Sequence, residues 1–534
     1  MIDEHSEIQI IENTDAALFD LTDKFGHDAP LKRIFQIVLA QGCSSILIEK
    51  DYDEEEWKQE HKIFYGKLFR KYSEKCDRLH FFSSNVNSNN IPSIEKLQDN
   101  YLGFCVLRPV PARRVVNSVI KPLEERNNPP KSFIICQEKF AVQIDISNGD
   151  KQTLCVTGFP FMQQDKHAGC CAHAGLIMAE RFLVQRRNIE NPGSDEQPHL
   201  LDSIRETLVK IPGVGRKLPT PGLRPIDIST VLEESMKYSP LVYVYSKDNK
   251  PPFALEKMLY HYLESKIPVQ LLVPTECGGH SLTVIGHSFD PDVWWALARE
   301  PYYLDRPLQE LCHCSTNWIE HFIVQDDNFG PYPTVPKSHI RLCEISGQSA
   351  IAVPLPLNVN IEGPTAELIA TYCIANEINV QAILAARDNA QISGNTWKLF
   401  LVMWSHFLRR DLVLRTFLVD SDEFKNSYVP AHLKQYYDPL KLYKKIWLTE
   451  ISIPELFSQT RKRLGEILID PTAPPPPLIG QNLLPDPQEA ARALLAIHVP
   501  GFIGTRDVDV ENLTTNYILD DNVYSHIIRK TCIQ

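Results

Sequence analysis

The sequence lacks the long apolar segment that a membrane-spanning helix requires. Such a helix needs about 20 mostly apolar residues. The longest apolar stretches, such as Trp397–Leu408, are interrupted by Lys, Ser and His. Residues 1–20 are acidic and contain no apolar core, so they predict neither a signal peptide nor a transit peptide. We therefore expect a cytoplasmic protein with no membrane partner.

The sequence also lacks a dense block of Lys and Arg, and its net charge is -12. This charge argues against nucleic acid as the main partner. The 13 cysteines follow no short repeating spacing, so a secreted disulfide framework is not expected and a reducing cytosol fits better. No G-x-x-x-x-G-K-[ST] motif and no strand-linked G-x-G-x-x-G motif is present, so nucleotide binding through these loops is not predicted.

The 534 residues are too many for one ordinary core, and their apolar and charged content is that of a globular protein. Helices come first and strands later between residues 151 and 345, which predicts an α+β domain with a mostly antiparallel sheet. The predicted organisation comprises an N-terminal mixed α/β domain for scaffolding or recognition (1–150), a central α+β domain (151–345), a C-terminal α/β domain (346–470), a Pro-rich linker (471–487) and a C-terminal tail (488–534).

Cys170 lies at the junction of a polar loop and an apolar helix predicted over residues 170–185. A thiol at a helix N-terminus lies at the positive end of the helix dipole, which favours the reactive thiolate. Cys170 is therefore the predicted nucleophile. Its neighbour Cys171 is the second choice and is expected to pack beneath the helix. Gln164 is the preferred donor of a hydrogen bond to an oxyanion, ahead of Gln163.

His280 begins an apolar strand and follows two glycines. An imidazole that projects from a strand edge can pair with a thiolate brought in by a helix. A second predicted strand, His321–Gln325, is followed by Asp326, Asp327 and Asn328. A carboxylate there can accept a hydrogen bond from the other ring nitrogen and fix the tautomer. Because successive residues of a strand point to opposite faces, we expect only one of the two aspartates to face His280.

Together these residues resemble those of papain-fold cysteine peptidases, and most closely the bacteriocin-processing (double-glycine) peptidases. Gln164 and Cys170 reproduce the six-residue spacing between the Gln and the Cys of such enzymes. His280 is followed by Gly286 in the family's H-x5-G pattern, and Asp327 begins a D-N-F-G turn after a strand. The resemblance covers roughly residues 155–340.

The resemblance implies a papain-like core, in which an N-terminal helix carries Cys170 and a C-terminal antiparallel sheet carries His280 and Asp327. Gln164 would be the oxyanion donor, and no cofactor or metal would be needed. The chain departs from the family at Cys171, where Gly is usual, and in the insertion Phe289–Asn317.

Three functions follow from this interpretation. The first is a thiol hydrolase, a peptidase or isopeptidase acting on a peptide or protein substrate through a thioester. The second is an acyltransferase with chemistry similar to that of phytochelatin synthases or transglutaminases. The third is a non-catalytic interaction module of a multi-protein assembly, because the flanking domains and the Pro-rich segment suit protein partners.

Cys312, His313 and Cys314 form a compact cluster, with His321 nearby. The C-x-C spacing is tighter than that of the usual zinc-binding pairs, and no second cysteine pair follows at suitable spacing. From the sequence we therefore expect a structural or incidental role for these residues and no metal site.

Overall fold

The computed structural model describes residues 6–11, 16–86, 93–123, 131–147, 150–211, 218–220, 222–248, 250–276, 278–290, 312–346, 348–374, 376, 411–479, 484–499, 502–518 and 524–525. Three large sheets succeed one another along the chain, and helices pack between and around them. Within these ranges, no helix has both the length and the apolar character needed to cross a bilayer.

The N-terminal part contains a six-stranded antiparallel sheet and a separate hairpin. The sheet has the order β1-β2-β3-β4-β5-β9, and β7 pairs with β8. Its strands carry apolar residues that are buried on one or both faces, as in β4, which is buried throughout. The strands of this part are β1 (Ser6–Ile10), β2 (Ser45–Tyr52), β3 (Cys76–Phe82), β4 (Tyr101–Leu107), β5 (Val115–Ile120), β6 (Ser132–Ile134), β7 (Glu138–Ser147), β8 (Asp150–Gly158) and β9 (Pro160–Phe161).

The central sheet has the order β10-β16-β11-β12-β14-β15, with β6 added beside one end of β12. All of its pairings are antiparallel. Its strands are β10 (Ser239–Ser246), β11 (Val269–Thr275), β12 (Gly278–Ser288), β14 (His321–Asp326), β15 (Gly330–Pro336) and β16 (Gln348–Leu355), whereas β13 (Cys312–Cys314) belongs to the next sheet.

The third sheet has the order β13-β17-β18-β20-β23-β24-β25. β13 runs parallel to β17, and the remaining pairs are antiparallel. The strands of this part are β17 (Leu412–Asp420), β18 (Lys445–Ser452), β19 (Lys462–Arg463), β20 (Gly465–Ile469), β21 (Leu478–Ile479), β22 (Leu484–Pro485), β23 (Leu494–Val499), β24 (Phe502–Thr505), β25 (Thr514–Tyr517) and β26 (Tyr524–Ser525).

The helices cover the sheets and contribute to one continuous core of buried apolar residues. They are α1 (Ala17–Phe25), α2 (Ala29–Ala40), α3 (Glu55–Ile63), α4 (Ile94–Asp99), α5 (Cys171–Glu190), α6 (Leu201–Val209), α7 (Pro225–Thr230), α8 (Leu255–Glu264), α9 (Lys337–Ser346), α10 (Gly363–Cys373), α11 (Ser421–Glu423), α12 (Lys434–Tyr437), α13 (Pro454–Thr460) and α14 (Pro487–Ala493). Short 3-10 or π turns cover Tyr65–Lys67, Val231–Ser235, Ser315–Trp318, Phe424–Tyr428 and Ala431–Leu433.

α5 is the helix that matters most for the site. It packs against β12 and β11 of the central sheet and against β7 and β9 of the N-terminal part. Because partners surround it, apolar residues are buried around most of its circumference, including Leu176, Ile177 and Phe182. The helix is thereby fixed between two sheets, with its N-terminus beside the start of β12.

The α+β class with antiparallel sheets is confirmed, but the sheets cross the domain boundaries expected from the sequence. β6, from residues assigned to the N-terminal domain, pairs with β12. β16, from residues assigned to the C-terminal domain, lies between β10 and β11. β23 and β24, from the predicted tail, continue the third sheet. Strand pairing between distant segments decides where the domains end. Composition along the chain gives no information about that pairing.

The start of the Pro-rich segment is bound to the rest of the protein. The carbonyl of Pro471 accepts the backbone N–H groups of Asn360 at 2.7 Å and Ile361 at 3.1 Å. The side-chain amide of Asn360 donates to the carbonyl of Thr472 at 2.7 Å. Proline retains its carbonyl as an acceptor, so a segment expected to be a spacer can still dock through its acceptors.

Candidate active site

Two adjacent cysteines mark the beginning of α5. Cys170 is the N-cap residue, with extended backbone angles, and Cys171 is the first helical residue. The side chains of an N-cap residue and of the residue after it point in different directions because the backbone changes conformation between them. The two thiols therefore have different neighbours, and that difference decides which one meets the histidine of the sheet.

The loop before the helix is held by the carboxylate of Asp165. Asp165 is buried and accepts the backbone N–H groups of Ala168 at 2.9 Å and Gly169 at 2.8 Å. The guanidinium of Arg205 donates to the carbonyl of Ala168 at 3.0 Å. These bonds satisfy backbone groups that would otherwise be buried without partners. They also fix the loop that leads into Cys170 and Cys171 at the start of α5.

α5 is attached to the central sheet through a buried polar contact at Gly175. The side-chain amide of Gln270, on β11, donates to the carbonyl of Gly175 at 2.9 Å and to the hydroxyl of Thr283, on β12, at 3.0 Å. A Cβ on residue 175 would overlap the Oε1 of Gln270. The absence of a side chain at Gly175 thus allows the helix to approach the strand that carries His280.

His280 lies near the start of β12 and faces a turn that follows β14. Its Nε2 lies 3.0 Å from Oδ1 of Asp326 and 3.7 Å from Oδ1 of Asp327. The Oδ1 of Asp326 also accepts the backbone N–H of Asn328 at 2.8 Å. The amide nitrogen of Asn328 is 3.5 Å from Nδ1 and 3.4 Å from Nε2 of His280, so it is centred on neither ring nitrogen.

The thiol of Cys171 lies beside the imidazole of His280. Burial of His280 opposes its protonation, but the hydrogen bond with Asp326, the neighbouring thiol of Cys171 and the charges of Asp326 and Asp327 outweigh burial and raise its pKa to about 10. At neutral pH the ring is therefore an imidazolium that faces the thiol of Cys171, and its positive charge favours the thiolate form of that sulfur.

Cys170 has its own imidazole partner, His173. The Sγ of Cys170 lies 3.0 Å from Nδ1 of His173, which also accepts the backbone N–H of Cys170 at 3.3 Å. Burial, followed by the charge of Arg205, lowers the pKa of His173 to about 4, so this ring is neutral. The Cys170–His173 pair closes the first turn of the helix.

The two thiols are coupled to each other. A hydrogen bond from Cys171 lowers the pKa of Cys170, burial opposes this, and backbone N–H groups at the helix start, beginning with that of His173, lower it further. The same sulfur–sulfur hydrogen bond, followed by burial, raises the pKa of Cys171, and His280 counteracts both. Two adjacent thiols do not readily ionise together, and the directions of the two pKa shifts make Cys170 the more acidic of the pair.

Gln164 and Gln163 have different neighbours. The carbonyl of Gln163 accepts a hydrogen bond from Arg108 at 2.8 Å, and its Oε1 accepts the N–H of Val115 at 3.4 Å, so Gln163 faces the N-terminal sheet. The side chain of Gln164 lies beside the carboxylate of Asp327 and lowers its pKa. Burial nevertheless dominates at Asp327 and raises its pKa to about 6. Of the two glutamines, Gln164 is therefore the one that faces the candidate site.

The structure brings Gln164, His280 and both aspartates together, but not in the predicted pairs. Cys171, not Cys170, contacts His280, because the helix begins one residue later than the sequence indicated. Asp326, not the favoured Asp327, makes the short hydrogen bond. Contrary to the expectation from strand alternation, both aspartates lie within 4 Å of the same ring nitrogen, because β14 ends at Asp326 and Asp327 begins the turn.

His173 is a partner that sequence reasoning missed. Its side chain is buried against Cys170. The signal was its spacing: a residue three positions after an N-cap can reach back to that residue, as in a capping box.

The side-chain donor atoms of His280, Asp326 and Asp327 lie within 4.8 Å of one another, so they also have the spacing of a metal-ligand set. No protein-family model matches this chain, and a search of curated proteins finds no significant match.

Proposed function

We propose that this protein is a thiol hydrolase that cleaves a peptide or isopeptide bond through a thioester, with Cys171 as the nucleophile. The observation that carries the proposal is the chain of contacts from the Cys171 thiol to the His280 imidazole and on to the Asp326 carboxylate. A nucleophile, a base and an orienting group linked by hydrogen bonds form the recurring pattern of nucleophilic catalysis. The resemblance to papain-fold peptidases supports the same chemistry.

In the acylation step, the sulfur of Cys171 attacks the carbonyl carbon of the scissile amide. The proton of the thiol resides on His280, which then transfers it to the leaving nitrogen as the C–N bond breaks. Because Nε2 of His280 is bound to Asp326, Nδ1 is the nitrogen that exchanges protons with sulfur, substrate and water. Water then attacks the thioester, His280 takes its proton, and the acid product leaves as the thiol is restored.

The remaining groups support this step in different ways. The backbone N–H groups of Ala172 and His173, in the first turn of α5, interact with the sulfur of Cys170, so the N–H of Cys171 is the one we assign to an oxyanion that forms at the substrate carbonyl. Cys170 is coupled to Cys171, so the protonation of each sulfur depends on that of the other. Asp326 holds the ring of His280 and stabilises its protonated form.

The test is acyl transfer from p-nitrophenyl acetate to the full chain at neutral pH, followed by mass spectrometry of peptides. We expect one acetyl group per chain, located on Cys171, and loss of acylation in Cys171→Ala. Cys170→Ala is the matched control: it removes the neighbouring thiol but leaves the Cys171–His280 contact. Acetylation located on Cys170 and retained in Cys171→Ala would overturn the assignment of the nucleophile.

The fate of the thioester separates hydrolysis from transfer. We expect the acetyl group to be lost to water at the same rate with and without added amines or thiols. A strong dependence on the acceptor would instead make the protein an acyltransferase. Treatment with a chelator, followed by addition of a divalent ion, tests whether His280, Asp326 and Asp327 instead bind a metal. Acylation that requires the added ion would contradict the thiol mechanism.

A further inference from the structure

A second cluster of functional side chains lies where the central and third sheets meet. It consists of His261 on α8, Cys314 on β13 and Glu367 on α10, and all three residues are buried. Their donor atoms lie within 4.8 Å of one another, and Nε2 of His261 is 3.7 Å from Oε2 of Glu367. This cluster shares no residue with the Cys171 site.

Two polar atoms that face each other in this cluster have no hydrogen-bond partner in the part of the chain that the structure describes. Nδ1 of His261 lies 3.0 Å from the carbonyl of Thr416, to which it donates its proton, so Nε2 carries the lone pair. Neither this Nε2 nor Oε2 of Glu367 has a hydrogen-bond partner among the described residues, and both atoms are buried. Two facing acceptors without a donor between them are costly inside a protein. A cation placed between them removes that cost.

We propose that His261, Cys314 and Glu367 bind a Zn²⁺ ion. Imidazole nitrogen, thiolate sulfur and carboxylate oxygen are the ligands that zinc takes in proteins. Metal-bound histidines commonly donate their second N–H to a backbone carbonyl, as His261 does to Thr416. Tetrahedral zinc with these bond lengths separates nitrogen and oxygen ligands by about 3.4 Å, close to the 3.7 Å between His261 and Glu367.

Cys312 is the fourth ligand of this proposal; its sulfur lies outside the group of donor atoms within 4.8 Å of one another, so its side chain must turn toward the ion when zinc binds. It lies two residues before Cys314 on β13, and residues two apart on a strand face the same side. His313, between them, faces the other way and contacts Asp411 through its Nε2 at 2.9 Å.

The charges balance at such a site. Lys257 places its Nζ 3.7 Å from Oε1 of Glu367, the oxygen that does not face His261. Two thiolates and one carboxylate together offset the charge of Zn²⁺ and Lys257, so the buried group is neutral as a whole. The metal would join α8 and α10 to β13, which is hydrogen-bonded to β17 of the third sheet. We therefore assign it a structural role.

The experiment measures zinc bound to the untagged full chain, produced with zinc and purified without chelators. We expect about one zinc per chain in the wild type, and an at least tenfold lower content in Cys314→Ser and in the nearly isosteric Glu367→Gln. Cys155→Ser, which changes a half-buried cysteine on the hairpin strand β8, is the matched control and should keep its zinc. Zinc retained in Cys314→Ser but lost in Asp326→Asn would overturn the proposal by assigning the metal to the other cluster.

Cobalt substitution keeps the test decisive if the variants do not fold. Replacement of zinc by Co²⁺ in the wild type should give a near-ultraviolet charge-transfer band, because thiolate sulfur bound to Co²⁺ absorbs there. A wild-type chain that binds no stoichiometric zinc and shows no such band with Co²⁺ would refute the site. A chelator should also lower the melting temperature of the wild type, and an unchanged melting temperature after complete metal removal would contradict the structural role.

Discussion

The Nε2 of His280 lies 3.0 Å from Oδ1 of Asp326, and the same ring lies beside the thiol of Cys171. One ring therefore links a carboxylate at the end of β14 to a sulfur at the start of α5. This relationship distinguishes the site from a histidine that merely begins a strand.

Asp326→Asn should lower the rate of Cys171 acylation roughly 10³-fold, because loss of an orienting carboxylate leaves the imidazole in the wrong tautomer. The proton of His280 should then be lost at lower pH, since Asp326 contributes the largest of the interactions that raise its pKa to about 10. The measurement is the acylation rate as a function of pH. An Asp326→Asn rate and pH profile equal to those of the wild type would remove Asp326 from the site.

Asp327→Asn should stabilise the protein at neutral pH. Burial raises the pKa of Asp327 to about 6 from an ordinary value of 3.8, so the folded state favours the protonated form. The stability contributed by that preference is fully present below pH 3.8 and is lost as the pH rises through 6. Asparagine stays neutral, so the gain above pH 6 should reach up to about 3 kcal/mol.

The check on this prediction is the difference in melting temperature between Asp327→Asn and the wild type at several pH values. We expect the difference to grow between pH 4 and pH 6, roughly the range bounded by the two pKa values. A difference of the opposite sign at neutral pH would mean that the ionised carboxylate of Asp327 stabilises the fold through its contacts with His280.

Gly175→Ala should separate α5 from the central sheet. The added Cβ would overlap Oε1 of Gln270, whose amide is held by Gly175 and Thr283. Overpacking of this kind costs about 1–3 kcal/mol, and the displaced helix should also slow the acylation of Cys171. Gly222→Ala is the control, because among the described residues a Cβ there would meet no atom within 4 Å. Equal stability of the two variants would show that the close approach is unimportant.

Glu450→Gln should strongly destabilise the third sheet and its contact with α8. Glu450 accepts hydrogen bonds from Arg415 at 2.8 Å and from Arg463 at 2.7 Å, and Arg415 also binds Glu264 at 2.5 Å. These groups are buried, and removal of one charge from such a network costs about 3–5 kcal/mol. The midpoint of urea unfolding measures the effect.

The control for this network is Glu489→Gln, which removes the half-buried partner of the exposed Arg492, 2.7 Å away, and should cost less than about 1 kcal/mol. If both variants shifted the midpoint equally, the network would contribute no more than an ordinary surface ion pair.

The sequence predicted the kinds of residue at the site because their patterns are local. A polar loop before an apolar helix indicated a reactive Cys170, with Cys171 as second choice, and glycines before an apolar strand indicated His280. The α+β class followed from the order of elements in the same way. Within each adjacent pair the sequence favoured Cys170 and Asp327, but one residue more or less before a helix start or after a strand end turns a side chain to another direction, so sequence patterns do not fix the contact.

The sequence by itself determined that two cysteines, a histidine and two aspartates with suitable chemistry occur in the order that a thiol site requires. Only the tertiary structure decided that Cys171 and Asp326 contact His280, because side-chain direction depends on where α5 begins and β14 ends. It also brought His261 and Glu367 to Cys314, where sequence spacing alone predicted no metal site. Such clusters form when strands of distant segments pair and helices pack against them. The spacing of residues within one segment gives no information about those contacts.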